Sequence, residues 1–325
     1  MNIRNIIYRL IEYILPNTQV KAKPRISKQV AVPKVYNKDG KCMAFIFLAS
    51  PESEHHPYGL TDGRVPSRII WDRLNYSLNT HFYASEQMFS KHVKGNQNYG
   101  LLLEGRAIIP NVYKKTIKNS SYIEENFLAL FTHSKELLDK VSNALFCPAY
   151  SVWYGTTKWG GNIQENHLKS KMISFVGCDK AMSQMHLFRQ RVTQYFLNSK
   201  AVDVMGRAVG RFASCDDIYT PYRYNIALEN DKYDYYFTEK IMNCFAAKTI
   251  PIYYGCPSIG DFFNINGIII IKEPTLESIQ EALSICSEDD YESRREAIED
   301  NFERVKKYFC VEDYLCDNYP DILNH

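Results

Sequence analysis

The stretch Tyr222–Gly255, YRYNIALENDKYDYYFTEKIMNCFAAKTIPIYYG, decides the fold. Arg223 to Leu228 is an apolar run short enough for a buried strand. Glu229-Asn230 ends it, and an aromatic loop follows. Thr238 then supplies an N-cap hydroxyl for a helix reaching Lys248. Ile250 to Tyr254 is a second buried strand. Strand, helix and strand in so short a span make one βαβ unit, whose two strands run parallel. The helix start carries Thr238, Glu239 and Lys240, and a helix N-terminus favours anionic groups.

The same alternation extends in both directions. Upstream, Lys171 to Gly177 is predicted as a strand and His186 to Phe196 as a helix carrying Arg189 and Arg191. Downstream, a strand over Gly267 to Lys272 precedes helices over Thr275 to Ser284 and Tyr291 to Phe309. In the first half, Met43 to Ala49, Tyr99 to Glu104 and Phe127 to Phe131 read as buried strands. Trp71 to Leu78 and Ser134 to Lys140 read as helices. A polar, glycine-containing loop from Tyr154 to His167 connects the halves. Two α/β domains with largely parallel sheets follow, and ligands of such sheets bind beyond the strands' carboxyl ends. The default site is a cleft between the halves.

Composition narrows the function. The 325-residue chain has room for one large or two medium domains, and 45% apolar residues suffice for a sizeable core. A net charge of +2 argues against a nucleic-acid binder, whose surface would be strongly basic. The nine cysteines are odd in number and irregularly spaced, without a CxxC or Cys/His metal pattern, as expected of reduced thiols in a cytosolic protein. His55-His56 with Glu52 and Glu54 is a weak metal pattern in a polar loop. No apolar run approaches the ~20 residues of a spanning helix. Ile3, Ile6, Ile7, Leu10 and Ile14 share one helical face, and Lys21, Lys23, Arg25, Lys28 and Lys34 follow. Residues 1–34 are therefore either a peripheral anchor on an anionic membrane face or a terminal helix docked on its own domain.

A sugar transferase must hold an activated donor, offset charge on the departing nucleotide and take a proton from the acceptor. Lys240 can reach phosphate as a point charge, and Arg189 can add a planar clamp. The commoner fate of each such cation is a solvated surface charge. Glu239 either accepts sugar hydroxyls or simply suits the helix dipole. Tyr235, Tyr236 and Phe237 are by type packing residues. Glu104, at a strand's carboxyl edge, is either a general base or a structural acid paired with Arg106. Asp216-Asp217 and Asp231/Asp234 are short acidic groups better suited to caps than to a metal.

Taken together, Glu229-Asn230, Tyr236-Phe237-Thr238-Glu239-Lys240 and Pro251-Ile252-Tyr253-Tyr254-Gly255-Cys256-Pro257 resemble the C-terminal signature of the α-1,3-fucosyltransferases, glycosyltransferase family 10. The resemblance is strong over about Ile173 to Ile271 and loose in the first half. It implies a GT-B fold, two Rossmann-like domains facing across a cleft. Residues 43–160 would be the acceptor side, 161–325 the donor-binding side with the C-terminal helices, and 1–42 an amphipathic helix with a basic linker. It implies inverting transfer from GDP-fucose to a hydroxyl of an oligosaccharide or lipid-linked glycan. No metal would be obligate, a divalent ion being at most stimulatory. Asn230, Tyr236, Phe237, Thr238, Glu239 and Lys240 would form the donor site. Arg189 would join them on phosphate, with Arg191 as the fallback, and Glu104 would be the base. The expected setting is the cytoplasm, at the inner face of the plasma membrane, building a surface glycan such as a lipopolysaccharide side chain. Alternatives on the same residues are another GDP- or UDP-sugar donor, or a binding protein without turnover. Acceptor-contacting loops are expected within His55 to Arg68 and Tyr154 to His167.

Overall fold

Two parallel sheets carry the molecule, as the alternation of strands and helices requires. The computed structural model describes residues 34–50, 64–92, 96–163, 168–210 and 213–323, all within one compact unit, Val32–His325. The anchor or docked helix expected at residues 3–15, its basic stretch short of Lys34, and the His55-His56 pattern lie outside the described residues.

The first sheet has six strands in the order β2-β1-β3-β4-β5-β6. They are β1 Ala44–Ala49, β2 Ile69–Asp72, β3 Thr80–Ala84, β4 Gln97–Leu102, β5 Ala129–Thr132 and β6 Ala144–Phe146. The second sheet has five, in the order β11-β10-β9-β7-β8. They are β7 Lys171–Val176, β8 Asp203–Met205, β9 Tyr222–Leu228, β10 Ile250–Tyr254 and β11 Ile269–Ile270. Every pairing is parallel. In the second sheet the chain runs outward from β7 to β8 and, on the other side, from β9 to β10 and β11. The strand order therefore reverses between β7 and β9, where open α/β sheets form a crevice.

The second half follows the sequence reading closely. Helices Gln184–Ser199, Glu239–Ala246 and Leu276–Leu283 start at caps Ser183, Thr238 and Thr275, whose side chains accept backbone N–H groups. The helix expected over Tyr291 to Phe309 divides into Glu288–Ser293, Arg295–Val305 and a 3-10 turn, Lys306–Tyr308. The strand expected over Gly267 to Lys272 shortens to β11.

The first half departs further. Trp71 to Leu78 is not a helix: Ile69, Trp71 and their neighbours pair with β1 as β2. Asp72 then turns the chain, its carboxylate accepting the N–H groups of Leu74 and Asn75 at 2.8 and 2.9 Å. An aspartate that captures nearby backbone donors ends regular structure. Two helices, Pro110–Lys118 and Ser120–Asn126, were not anticipated. Pro110 at the first turn is their sequence signal.

The end of the chain returns to the first sheet. In helix Val311–Asn318, Val311, Leu315 and Cys316 are buried in one core with Ile46, Trp71, Phe82 and Phe131. Fully buried Glu312 accepts the Trp71 indole N–H at 3.0 Å. Asp313 accepts from the backbone and hydroxyl of Ser67, both at 2.9 Å. No helix among the described residues is long and apolar enough to cross a membrane.

Candidate active site

The carboxyl ends of β7 and β9 bring the cations of the second half together. β9 delivers Glu229 one residue past its last paired position, completely buried. Its two oxygens accept the Thr238 N–H at 2.9 Å and the Thr238 hydroxyl at 2.7 Å. This bond closes the loop 229–238 and fixes where the helix begins. Thr238 in turn accepts the Lys240 N–H at 3.3 Å and its ammonium at 3.0 Å. The same ammonium lies 3.1 Å from Glu239 and 3.3 Å from Glu229. Burial alone would lower the Lys240 ammonium, but Glu239 and Glu229 together raise it above its ordinary value. Burial pushes the Glu229 carboxyl up, opposed by Lys240. Lys240 is thus a firmly charged cation at a helix N-terminus, with part of its side chain open.

Arg189 reaches the same place from helix Gln184–Ser199. Its guanidinium donates to the Asn230 side chain at 3.3 Å and to the Val176 carbonyl, at the end of β7, at 3.5 Å. Its Nε is buried without a hydrogen-bond partner. Arg191 instead points outward, over the Phe188 ring, so Arg189 is the arginine brought to Asn230. The Ser183 hydroxyl at the start of Arg189's helix contacts the Asn230 carbonyl at 3.4 Å. Two helix N-termini and two cations therefore converge at the strand reversal. His186 records this field: burial first, then Arg189, Lys180 and Lys240, lower its imidazole to about 4. A site with this potential suits a diphosphate.

Not every expected donor residue faces this opening. Phe237 is fully buried among Phe262, Phe263 and Tyr308 at ring distances of 4.8 to 5.5 Å. Its place is in the core because the chain turns inward before Thr238. Thr238 is also fully buried and acts on Glu229 and Lys240 rather than outward. Tyr236 is buried, its ring stacked on Tyr233 at 4.7 Å, with its hydroxyl unpaired in the direction of the first half. Glu104 and Glu229 both bear on that phenol, whose ionisation burial pushes well above the ordinary value.

Glu104 stands across from this edge, two residues past β4. Its carboxylate accepts the Gly105 N–H and the Tyr150 hydroxyl, each at 2.7 Å. The pairing with Arg106 considered from sequence is not formed, since Arg106 lies 3.4 Å from Asp231 instead. A Cβ on Gly105 would come within 2.7 Å of the Tyr236 hydroxyl, so only glycine fits this turn as it stands. Asn243, which shares a helix face with Glu239 at i+4, accepts the N–H groups of Trp153 and Tyr154 at 2.8 and 3.0 Å. The segment 150–154 therefore runs from the Glu104 carboxylate to the face bearing Glu239. Sequence reasoning missed Tyr150 and Asn243, for nothing local distinguishes them.

Of the acidic pairs weighed as metal ligands, Asp216-Asp217 caps a helix and holds neighbouring loops, and Asp231 faces Arg106. Asp217 completes a capping box with Ser214, and Asp216 accepts from Gly161 and Thr220. Among the described residues, no group of three or more His, Cys, Asp or Glu side chains converges on one point. All nine cysteines are unpaired, seven of them buried.

Comparison with known proteins bears on the fold and the family. Residues 166–290 match the model described as glycosyltransferase family 10 (fucosyltransferase) C-term. No curated protein sequence matches the chain significantly. The chain is similar in fold to a solved α1,3-fucosyltransferase with GDP, at 15% identity and TM-score 0.50, covering 91% of this chain and 94% of that one. It is also similar to the sucrose-phosphate synthase of Thermosynechococcus elongatus, at 10% identity and TM-score 0.51, covering 87% and 99%. The paired parallel sheets are thus a GT-B arrangement.

Proposed function

We propose that this chain, whose residues 166–290 match the family 10 model, is a glycosyltransferase that transfers fucose from GDP-fucose to a hydroxyl of a surface glycan. The observation that carries this reading is the convergence of Arg189 and Lys240 on the β7/β9 edge, with Glu239 at the helix start and Glu104 opposite. The diphosphate would lie against Arg189, Lys240 and the two helix N-termini, which offset the charge of the leaving GDP. Glu239 would accept sugar hydroxyls, and Asn230 would line the donor pocket beside Arg189. Glu104 would take the acceptor proton as that oxygen attacks the anomeric carbon in line, inverting it. Tyr150 and Gly105 hold the Glu104 carboxylate, so the base needs little reorganisation.

We place the reaction on the cytoplasmic side, with the product a side chain of a surface glycan such as lipopolysaccharide. Residues 1–34 would supply membrane contact. The structural neighbour solved with GDP supports a guanosine nucleotide, while its low identity leaves the sugar to experiment. Incubation with labelled GDP-fucose and a mixed glycan extract should release GDP and label the glycan. Glu104→Ala should lower turnover while leaving donor binding largely intact. Full activity of that variant would remove Glu104 as base. A thermal-shift panel of GDP- and UDP-sugars separates GDP-fucose from other donors, and a protein that binds but releases no GDP would be a binding module.

A further inference from the structure

The turn that carries Glu104 and the loop that leads to Lys240 are held by one set of side chains. Arg106 follows Glu104-Gly105 directly. Its guanidinium sits 4.4 Å over the Tyr233 ring and 3.4 Å from the Asp231 carboxylate. Its backbone N–H donates to the Tyr233 hydroxyl at 3.3 Å. That hydroxyl is 2.8 Å from His133 Nε2 at the end of β5. Tyr113, whose hydroxyl is 3.2 Å from the same nitrogen, donates to the Glu104 carbonyl at 2.9 Å. The Tyr233 ring in turn stacks on Tyr236 at 4.7 Å, next to Gly105.

We infer that Arg106 and Tyr233 are positioning residues, a clasp between the halves that sets the distance of Glu104 from the donor-holding helix. The inference rests on reading Glu104 as the base. The hydrogen bonds form one directed chain. His133 is fully enclosed, and burial lowers its imidazole to about 3, so the ring is neutral and accepts at Nε2 in its Nδ1–H tautomer. Arg106 N–H then donates to Tyr233, and Tyr233 donates to His133. A charged imidazole, which offers only donors, would reverse the second link, while the Arg106 N–H bond does not depend on it. The Arg106–Asp231 ion pair is partly exposed, at 41% and 21% of the side chains, and is weak by itself. Stacking on an aromatic face and the enclosed hydrogen bonds give the contact its direction.

None of the clasp side chains hydrogen-bonds Arg189 or Lys240, and only Asp231 adjoins a partner of theirs, Asn230. Loosening it should leave donor affinity nearly intact and misplace the base. A displacement on the order of 1 Å can cost about a hundredfold in rate. Full-length Arg106→Ala and Tyr233→Phe proteins should lose about tenfold or more in kcat, with the donor KM within roughly threefold. Arg106→Lys, which restores a cation over the ring and opposite Asp231, should recover much of the loss. The assay uses labelled GDP-fucose and an oligosaccharide mixture released from lipopolysaccharide. Hydrogen–deuterium exchange supplies a second readout without turnover. Each substitution should raise exchange in both 102–108 and 231–236, whichever segment carries it. Exchange confined to the altered segment, or parallel loss of kcat and donor affinity, overturns the clasp. If the unaltered protein ignores GDP-fucose, the donor assignment fails while the exchange experiment still judges the clasp.

Discussion

Lys240 and Glu229 show how one residue pair serves structure and chemistry together. A buried carboxylate without its cation is costly, about 3–5 kcal/mol when one partner is removed. Lys240→Met should therefore unfold at lower urea concentration as well as lose donor affinity. Adding Glu229→Gln removes the stranded charge and should recover most of the stability. The amide can still accept from one Thr238 donor, but Arg189 is left as the one side-chain cation assigned to the phosphate. Urea melts and GDP titration calorimetry on the single and double variants separate the two effects. Recovery of GDP binding in the double variant would remove Lys240 from the phosphate site. At this scale the sequence was partly legible. Thr238, Glu239 and Lys240 announce a capped helix start, yet nothing local shows that Phe237 turns into the core while Lys240 keeps an opening. Glu104 was visible as an acid after a buried strand. Its partners, Tyr150 and Tyr113, come from other elements and leave no local pattern.

Elements held by caps and buried runs were readable, while elements defined by partners were not. Helix Glu239–Ala246 has Thr238 as a cap and a continuous apolar interior, so its limits follow from propensity and burial. The four-residue β2 has no such signature, since a short apolar run with a tryptophan suits either state until β1 pairs with it. Lys169 belongs to the same partner-defined class. It is buried before β7, and its ammonium donates to the carbonyls of Tyr219, Thr220 and Ala247 and to the Thr249 hydroxyl at 2.7 to 3.1 Å. One side chain thus ties together the segments that enter β7, β9 and β10. Lys169→Met conserves most of the volume and strands several acceptors. Burial lowers the Lys169 ammonium to about 7, and removing that enclosed charge offsets part of the loss, so the net cost should be about 1–3 kcal/mol in urea unfolding. Because the site lies at the other end of these strands, GDP affinity of the folded fraction should stay within about threefold. A loss below about 1 kcal/mol would mean these carbonyls find other donors.

At the scale of the whole molecule, the division into two parallel sheets was legible because buried strands and helices alternate along the chain. The return of helix Val311–Asn318 to the first sheet was not, because an amphipathic helix does not announce which surface it covers. The fold also encloses imidazoles that bear on its response to acid. Burial lowers His133 to about 3, and burial with Arg189, Lys180 and Lys240 lowers His186 to about 4. Both folded values lie below the ordinary one near 6.5. Their contribution to stability is therefore complete above about pH 6.5 and is lost as pH falls toward the folded values, because the unfolded chain binds the protons first. Each can remove up to about 1.4 kcal/mol per pH unit in that window. Glu229 acts in the opposite sense: its raised carboxyl adds stability as pH falls through its folded value. Burial lowers His81 and His92 as well, so four imidazoles oppose one carboxylate and urea midpoints should fall from pH 6.5 to 4.5. His133→Gln keeps a neutral acceptor for Tyr233 and cannot ionise. It should leave the pH 7 midpoint nearly unchanged and flatten the slope only in part, since burial also lowers His81, His92 and His186. An unaltered slope would mean that His133 is open to protons in the folded state, and that the enclosed contact between β5 and the donor loop is not kept.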